Sequence, residues 1–166
     1  SDDQGPDLTA VKSAARSLVP HLAVNDLVVL ESTTYPGTTE EVVGPILAES
    51  GLDVPTQVKL AFSPERVDPG NATYGITNTP KVVGGLDEES SQAAYDFYAR
   101  FCDTVVIAKG AREAELAKLL ENTYRHVNIA LINELAVRSH EPDIGVWDAI
   151  RCAAPKPFGF QAFYPG

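Results

Sequence analysis

Four short strings hold the residues able to do chemistry. In a run from Glu113 to Glu141 whose spacing predicts a helix, Lys118 and Asn122 stand one helical step apart and Arg125 follows on the same face. An ammonium and an amide aimed at one point would suit a developing oxyanion. The same residues also fit a solvated stripe on an exposed helix, and a lone His126 beside them is of the kind that is more often structural. Phe62–Gly70 (FSPERVDPG) offers Glu65 and Arg66 just after an apolar run. A carboxylate there could activate water or hold a ribose, and a guanidinium could hold a phosphate bidentately. A surface ion pair in a Pro-rich loop would look the same. Glu31–Thr39 (ESTTYPGTT) places the hydroxyls of Ser32, Thr33 and Thr34 after another apolar run, or simply makes a capped turn around Pro36-Gly37. Lys156–Gly166 (KPFGFQAFYPG) combines a cation, glycine hinges and Phe158, Phe160, Phe163 and Tyr164. It could close over a sugar or a base, or pack as an aromatic linker.

The elements that must position these strings follow from periodicity. Asp7 can cap a helix over about Leu8 to His21. Asp26 then opens LVVL, a continuous apolar run that fits a strand buried on both faces. A helix is expected from Thr38–Thr39 to about Ser50, stopping at Gly51. Val58–Phe62, Lys81–Val83 and Thr104–Ala108 read as further strands, and Asp87–Arg100 as a helix with an acidic first turn. Strands alternating with helices predict a largely parallel α/β sheet, and ligands of open α/β sheets bind at the carboxyl ends of strands. After Lys109–Arg112 the pattern is helical only, which places a domain boundary near residue 110. Leu116, Leu119, Leu120, Val127, Ile129, Leu131, Ile132 and Leu135 spread around the long helix, so more than one neighbour should cover it. A short helix over about Gly145–Ala153 precedes the last loop.

Composition narrows the classes. The 166 residues carry 13 basic and 23 acidic side chains, a net charge of −10, which argues against a nucleic-acid surface built on clustered Lys and Arg. An anionic small ligand needs only a local positive site. Cys102 and Cys152 form neither a disulfide framework nor a zinc pattern; they fit free thiols in a reducing, cytoplasmic compartment, and no metal site is expected. No apolar run approaches a membrane span, so no membrane partner is expected. The chain contains no Met, which fits a processed product, an excerpt of a longer protein or an engineered chain.

Taken in order, STTYPGTTEE, FSPERVDPG, AELAKLLENTYRHVNIALINELA and KPFGFQAFYPG resemble consecutive motifs of the nucleotide-sugar 6-dehydrogenases, the UDP-glucose/GDP-mannose dehydrogenase family. The resemblance runs from about residue 7 to the end. It is closer to the UDP-N-acetylglucosamine/UDP-N-acetylmannosamine branch, because the SPE string continues as RV and not as the FL usual in the UDP-glucose branch. It implies NAD as cofactor, a UDP-sugar as substrate and two successive oxidations of the sugar C6 alcohol to a uronic acid through a thioester. By the same resemblance Thr33 orders a catalytic water, Glu65 is the base for thioester hydrolysis, and Lys118 and Asn122 stabilise the negatively charged oxygen. Arg66, Arg125, Lys156, Phe163 and Tyr164 fall where such enzymes contact the nucleotide sugar, and Ser32 and Thr33 where they meet the cofactor. The implied architecture is the second half of a Rossmann-like parallel sheet domain over 1–110, then the long helix and an all-α central domain over 111–166 that forms a homodimer.

The departures from the family are equally plain. No G-x-G-x-x-G follows a strand, and neither Cys102 nor Cys152 matches the context of the family's nucleophilic Cys. The resemblance therefore implies a partial chain, inactive alone, that lacks the glycine-rich fingerprint, the nucleophile and the UDP-binding domain. UDP-glucose and GDP-mannose stay open as alternative substrates, as does a non-catalytic dimerisation or nucleotide-binding module of the same fold.

Overall fold

The structure, a computed structural model, describes residues 6–68, 70–139 and 145–165. It comprises two compact units, one ending at Leu119 and one beginning at Leu120. The first holds strands β1 (Leu27–Leu30), β2 (Lys59–Phe62), β3 (Lys81–Gly85) and β4 (Val105–Ile107), and helices α1 (Thr9–Leu18), α2 (Gly44–Ala48) and α3 (Glu88–Tyr98). The long helix α4 (Ala111–Ser139) runs on past the boundary, and α5 (Val146–Ala153) lies in the second unit.

Local chemistry explains the ends. The Asp7 carboxylate accepts the Thr9 amide at 2.8 Å before α1, and the Asp87 carboxylate accepts the Ser90 amide at 2.7 Å at the start of α3. The segment expected as one helix from Thr38 opens as a π-helical turn, Thr39–Val43, before tightening into α2. Gly51 closes the turn after it with φ +85°, a left-handed conformation that favours glycine. The expected end of α4 at Glu141 lies outside the described residues.

The sheet has strand order β1-β2-β3-β4. β1/β2 and β3/β4 are parallel, and β2/β3 is antiparallel. The reversal falls where the described residues of the connection, 63–68 and 70–80, carry no helix, whereas parallel neighbours need a crossover. Side chains alternate cleanly across the sheet. Leu60 packs with Ala15, Val43, Ile46 and Leu47, next to Val28 and Leu30. Phe62 meets Ala111 and Ala114 of α4. On the opposite face Ala61 and Val83 pack with Ala94 and Tyr98 of α3 and with Cys102. β1 is only half-buried along its length, less than its apolar run predicts, because it stands at one edge of the four strands.

Much of α4's apolar surface is exposed in the single chain. Leu116, Leu120, Tyr124, Val127, Leu131 and Leu135 are all exposed, Leu120 at 68%, while Ile132 is buried. Their spacing of three or four residues keeps them within one stripe of the helix.

Candidate functional site

The register of β1 and β2 decides what meets at their carboxyl ends. Leu30 pairs with Phe62, so Glu31 and Ser63 leave the sheet together, and the Ser63 amide donates to the Leu30 carbonyl at 3.0 Å. Because β3 runs antiparallel to β2, its first residue, Lys81, arrives at that same edge. The Ser63 hydroxyl ties the two strands by donating to the Val82 carbonyl at 2.8 Å.

At this edge the Lys81 side chain, only 7% exposed, donates to Glu31 Oε1 at 2.9 Å. Tyr98 Oη donates to the same oxygen at 2.6 Å. The ammonium also lies 3.6 Å from Glu65 Oε2 and 4.9 Å from the centre of the Tyr98 ring. Glu65 Oε1 accepts two backbone amides, from Arg66 at 2.8 Å and Val67 at 2.6 Å. Partial burial pushes the Glu65 carboxyl up, but the Val67 amide, the Lys81 charge and the Arg66 amide outweigh it and hold it below the usual carboxylate range. Burial, reinforced by the hydrogen bond to Glu31 and by its charge, pushes the Tyr98 phenol well above its ordinary value. Lys118 reaches this edge from α4, and its ammonium donates to the Glu65 main-chain carbonyl at 2.5 Å. Glu65 and Lys118, 53 residues apart in the chain, thus meet.

The segment from Ser32 to Thr39 is anchored by a residue that nothing in the sequence singles out. Glu115, fully buried on α4, accepts the Gly37 amide at 2.6 Å, the Thr39 amide at 2.9 Å and the Thr39 hydroxyl at 2.6 Å. Gly37 has φ +101°, which a side chain would strain. Arg112 adds ion pairs to Glu40 at 2.8 Å and Glu41 at 2.6 Å. So held, the loop leaves Ser32 and Thr33 exposed at the carboxyl end of β1. The neighbouring Thr34 is buried and its hydroxyl has no hydrogen-bond partner.

The remaining candidates are distributed as follows. Arg66 is half-buried, and its guanidinium donates to the Pro80 carbonyl at 2.7 Å. Asn122 is half-buried one helical step beyond Lys118 on α4, and Arg125 is exposed. In the second unit Phe163 packs edge-on against Tyr124 with centroids 5.7 Å apart, and Tyr124 Oη donates to Gln161 at 2.9 Å. They border a hollow of about 480 Å³ that is also lined by Asn128, Leu131 and Phe160, a volume in the range of small-molecule sites. Tyr164 stacks on Trp147, and the Lys156 ammonium lies over Phe158 at 5.4 Å. Arg125, Lys156 and Tyr164 do not line that hollow. Glu31, Lys81, Tyr98 and Glu115 join the site only in the folded chain. Glu31 carried a signal, as a carboxylate directly after a strand run, and Lys81 one as a cation opening another.

A family model described as the UDP-glucose/GDP-mannose dehydrogenase family, NAD binding domain, matches residues 1–102, and the central domain of that family matches residues 112–166. A UDP-N-acetyl-D-mannosamine dehydrogenase of Methanococcus aeolicus is 40% identical over 151 residues, covering 91% of this chain and 34% of that protein. The Escherichia coli K12 enzyme of the same name is 39% identical over 163 residues, covering 93% of this chain and 39% of that protein. Among solved structures, a UDP-D-ManNAc dehydrogenase from Pyrococcus horikoshii superposes with a TM-score of 0.90 at 34% identity, over 97% of this chain and 38% of that one. The chain spans little more than a third of the length of the curated relatives it matches.

Proposed function

The chain belongs to the UDP-glucose/GDP-mannose dehydrogenase family, and from that premise we propose that it serves NAD-dependent oxidation of the C6 alcohol of a UDP-N-acetylhexosamine to the uronic acid, in a cytoplasmic homodimer. The observation that carries this reading is the Lys118 hydrogen bond to the Glu65 carbonyl, which joins an ammonium and a carboxylate-bearing turn at the carboxyl edge of two parallel strands. The names of the mannosamine-type relatives favour the UDP-N-acetylhexosamine branch.

The residues present fit part of a dinucleotide site. Ser32 and Thr33 offer exposed hydroxyls at the strand end, and Thr34 beside them has an unsatisfied one. NAD, when bound, supplies the hydride acceptor. The roles of this chain's own residues follow from their chemistry. Lys118 and Asn122, one step apart on α4, stabilise the negative oxygen that develops on the sugar carbon. Glu65, held as a carboxylate by two amides and a nearby ammonium, takes a proton from the water that hydrolyses the thioester. Thr33 orders that water. Arg66, Arg125, Lys156, Phe163 and Tyr164 contact the nucleotide sugar, with a boundary between cofactor and central domains near residue 110. The exposed stripe Leu116–Leu135 on α4 supports pairing with a second copy.

The test is NADH formation by the full-length protein containing this chain, with UDP-N-acetylmannosamine, UDP-N-acetylglucosamine, UDP-glucose and GDP-mannose offered in parallel. Turnover greatest with an N-acetylated sugar is expected. Turnover only with UDP-glucose or GDP-mannose would move the chain to another branch, and no turnover with any would favour a non-catalytic module.

A further inference from the structure

One buried cation stands outside the roles just assigned. Lys81 is nearly enclosed, yet it faces two carboxylates and the face of an aromatic ring. A lysine is costly to bury unless it is paired, and Glu31 with Tyr98 would satisfy that need alone. The ammonium is nevertheless also 3.6 Å from Glu65, on the oxygen opposite the one that accepts the Arg66 and Val67 amides. We propose that Lys81 is a positioning residue for Glu65, its ammonium setting the charge and aim of the carboxylate, with Glu31 and Tyr98 serving as the anchor that holds Lys81 in place. This rests on Glu65 being the hydrolytic base proposed above.

The geometry assigns each group a distinct duty. Two amides pin Glu65 Oε1, so Oε2 is the oxygen left to approach a water. The Lys81 ammonium, 3.6 Å from Oε2, is close enough to favour the ionised form. Glu31 competes for the same ammonium at 2.9 Å and, with Tyr98 donating to it, sets how much of the positive charge Glu65 feels. The other ionisable groups around the pair are the Cys102 thiol, which burial keeps protonated, the Lys118 ammonium on the Glu65 carbonyl, and Arg66 on the Pro80 carbonyl.

The test reads Glu65 directly and needs no turnover. The 166-residue chain, labelled with ¹³C-glutamate, is titrated by NMR and the Glu65 Cδ midpoint is followed, with Glu65→Gln used for assignment. Lys81→Met is expected to raise that midpoint by at least about half a pH unit, and Lys81→Arg to return it towards the wild-type value. Glu31→Gln is expected to lower it, because a competing carboxylate disappears and the ammonium is released to Glu65. A midpoint unmoved in folded Lys81→Met and Glu31→Gln overturns the proposal. If Lys81→Met does not fold, Glu31→Gln decides: a downward shift supports the coupling, and no shift or an upward one refutes it. Failure of the underlying reading shows elsewhere. In the full-length protein Glu65→Gln should accumulate a covalent thioester detectable by intact mass; shifted midpoints without that adduct would leave the coupling standing and remove the assigned role of the base.

Discussion

At the scale of single residues, charge and hydrogen bonding divide the labour around Glu65. The Lys118 ammonium bonds the main-chain carbonyl of Glu65, and in the role proposed for it the two further ammonium protons would meet the developing oxyanion. Lys118→Ala in the full-length protein should lower kcat by about 10²–10³-fold while KM changes only a few-fold; equal losses in kcat and substrate affinity would assign it to binding. Tyr98 gives a pH prediction whose sign is set by its raised folded-state value. The native chain favours the protonated phenol, so this contribution to stability is fully present below about pH 10 and fades as pH rises beyond that. Denaturant midpoints measured from neutral to alkaline pH should fall less steeply in Tyr98→Phe than in wild type. Equal slopes would show that Tyr98 ionisation is not linked to folding.

At the scale of elements, α4 positions the loop after β1 through one side chain. Glu115 satisfies two amides and a hydroxyl that would otherwise be buried without partners. Glu115→Ala should cost about 3 kcal/mol or more, measured by urea unfolding of the chain, since the orphaned donors each lose a partner in a dry site. A loss below about 1 kcal/mol would mean that water replaces the carboxylate. β3 is also brought close to the start of α4 at two glycines. A side-chain carbon on Gly84 would lie 2.2 Å from the Gly110 carbonyl oxygen, an approach that no larger residue permits without backbone movement.

At the scale of the whole molecule, the stripe on α4 is the feature a lone chain leaves unsatisfied. Leu116, Leu120, Val127, Leu131 and Leu135 are exposed together, and a row of that kind marks an interface more often than a solvated face. Light scattering at micromolar concentration should report a dimer, and Leu120→Asp combined with Leu131→Asp should yield monomer with unchanged helical circular dichroism. A wild-type monomer across that range would assign the stripe to a different partner. No helix among the described residues is long and apolar enough to cross a membrane.

Elements whose determinants are local were legible in the sequence. The cap at Asp7, the helix with its acidic first turn after Asp87, the turn at Gly51, the four apolar strand runs and the long helix all follow from neighbouring residues, because capping, backbone conformation and periodicity act over a few positions. The four motifs likewise carried the family. What the sequence could not supply was which residues meet across long separations. Alternating strands and helices predicted a largely parallel sheet, and only the antiparallel return of β3 brings Lys81 to the edge where Glu31 and Glu65 follow the ends of β1 and β2. The burial of Glu115 depends on amides 76 and 78 residues away. Strand direction, register and the pairing of buried charges are decided by how elements pack against one another, because a strand run reads the same in either direction and a buried charge is tolerated only where distant partners happen to converge.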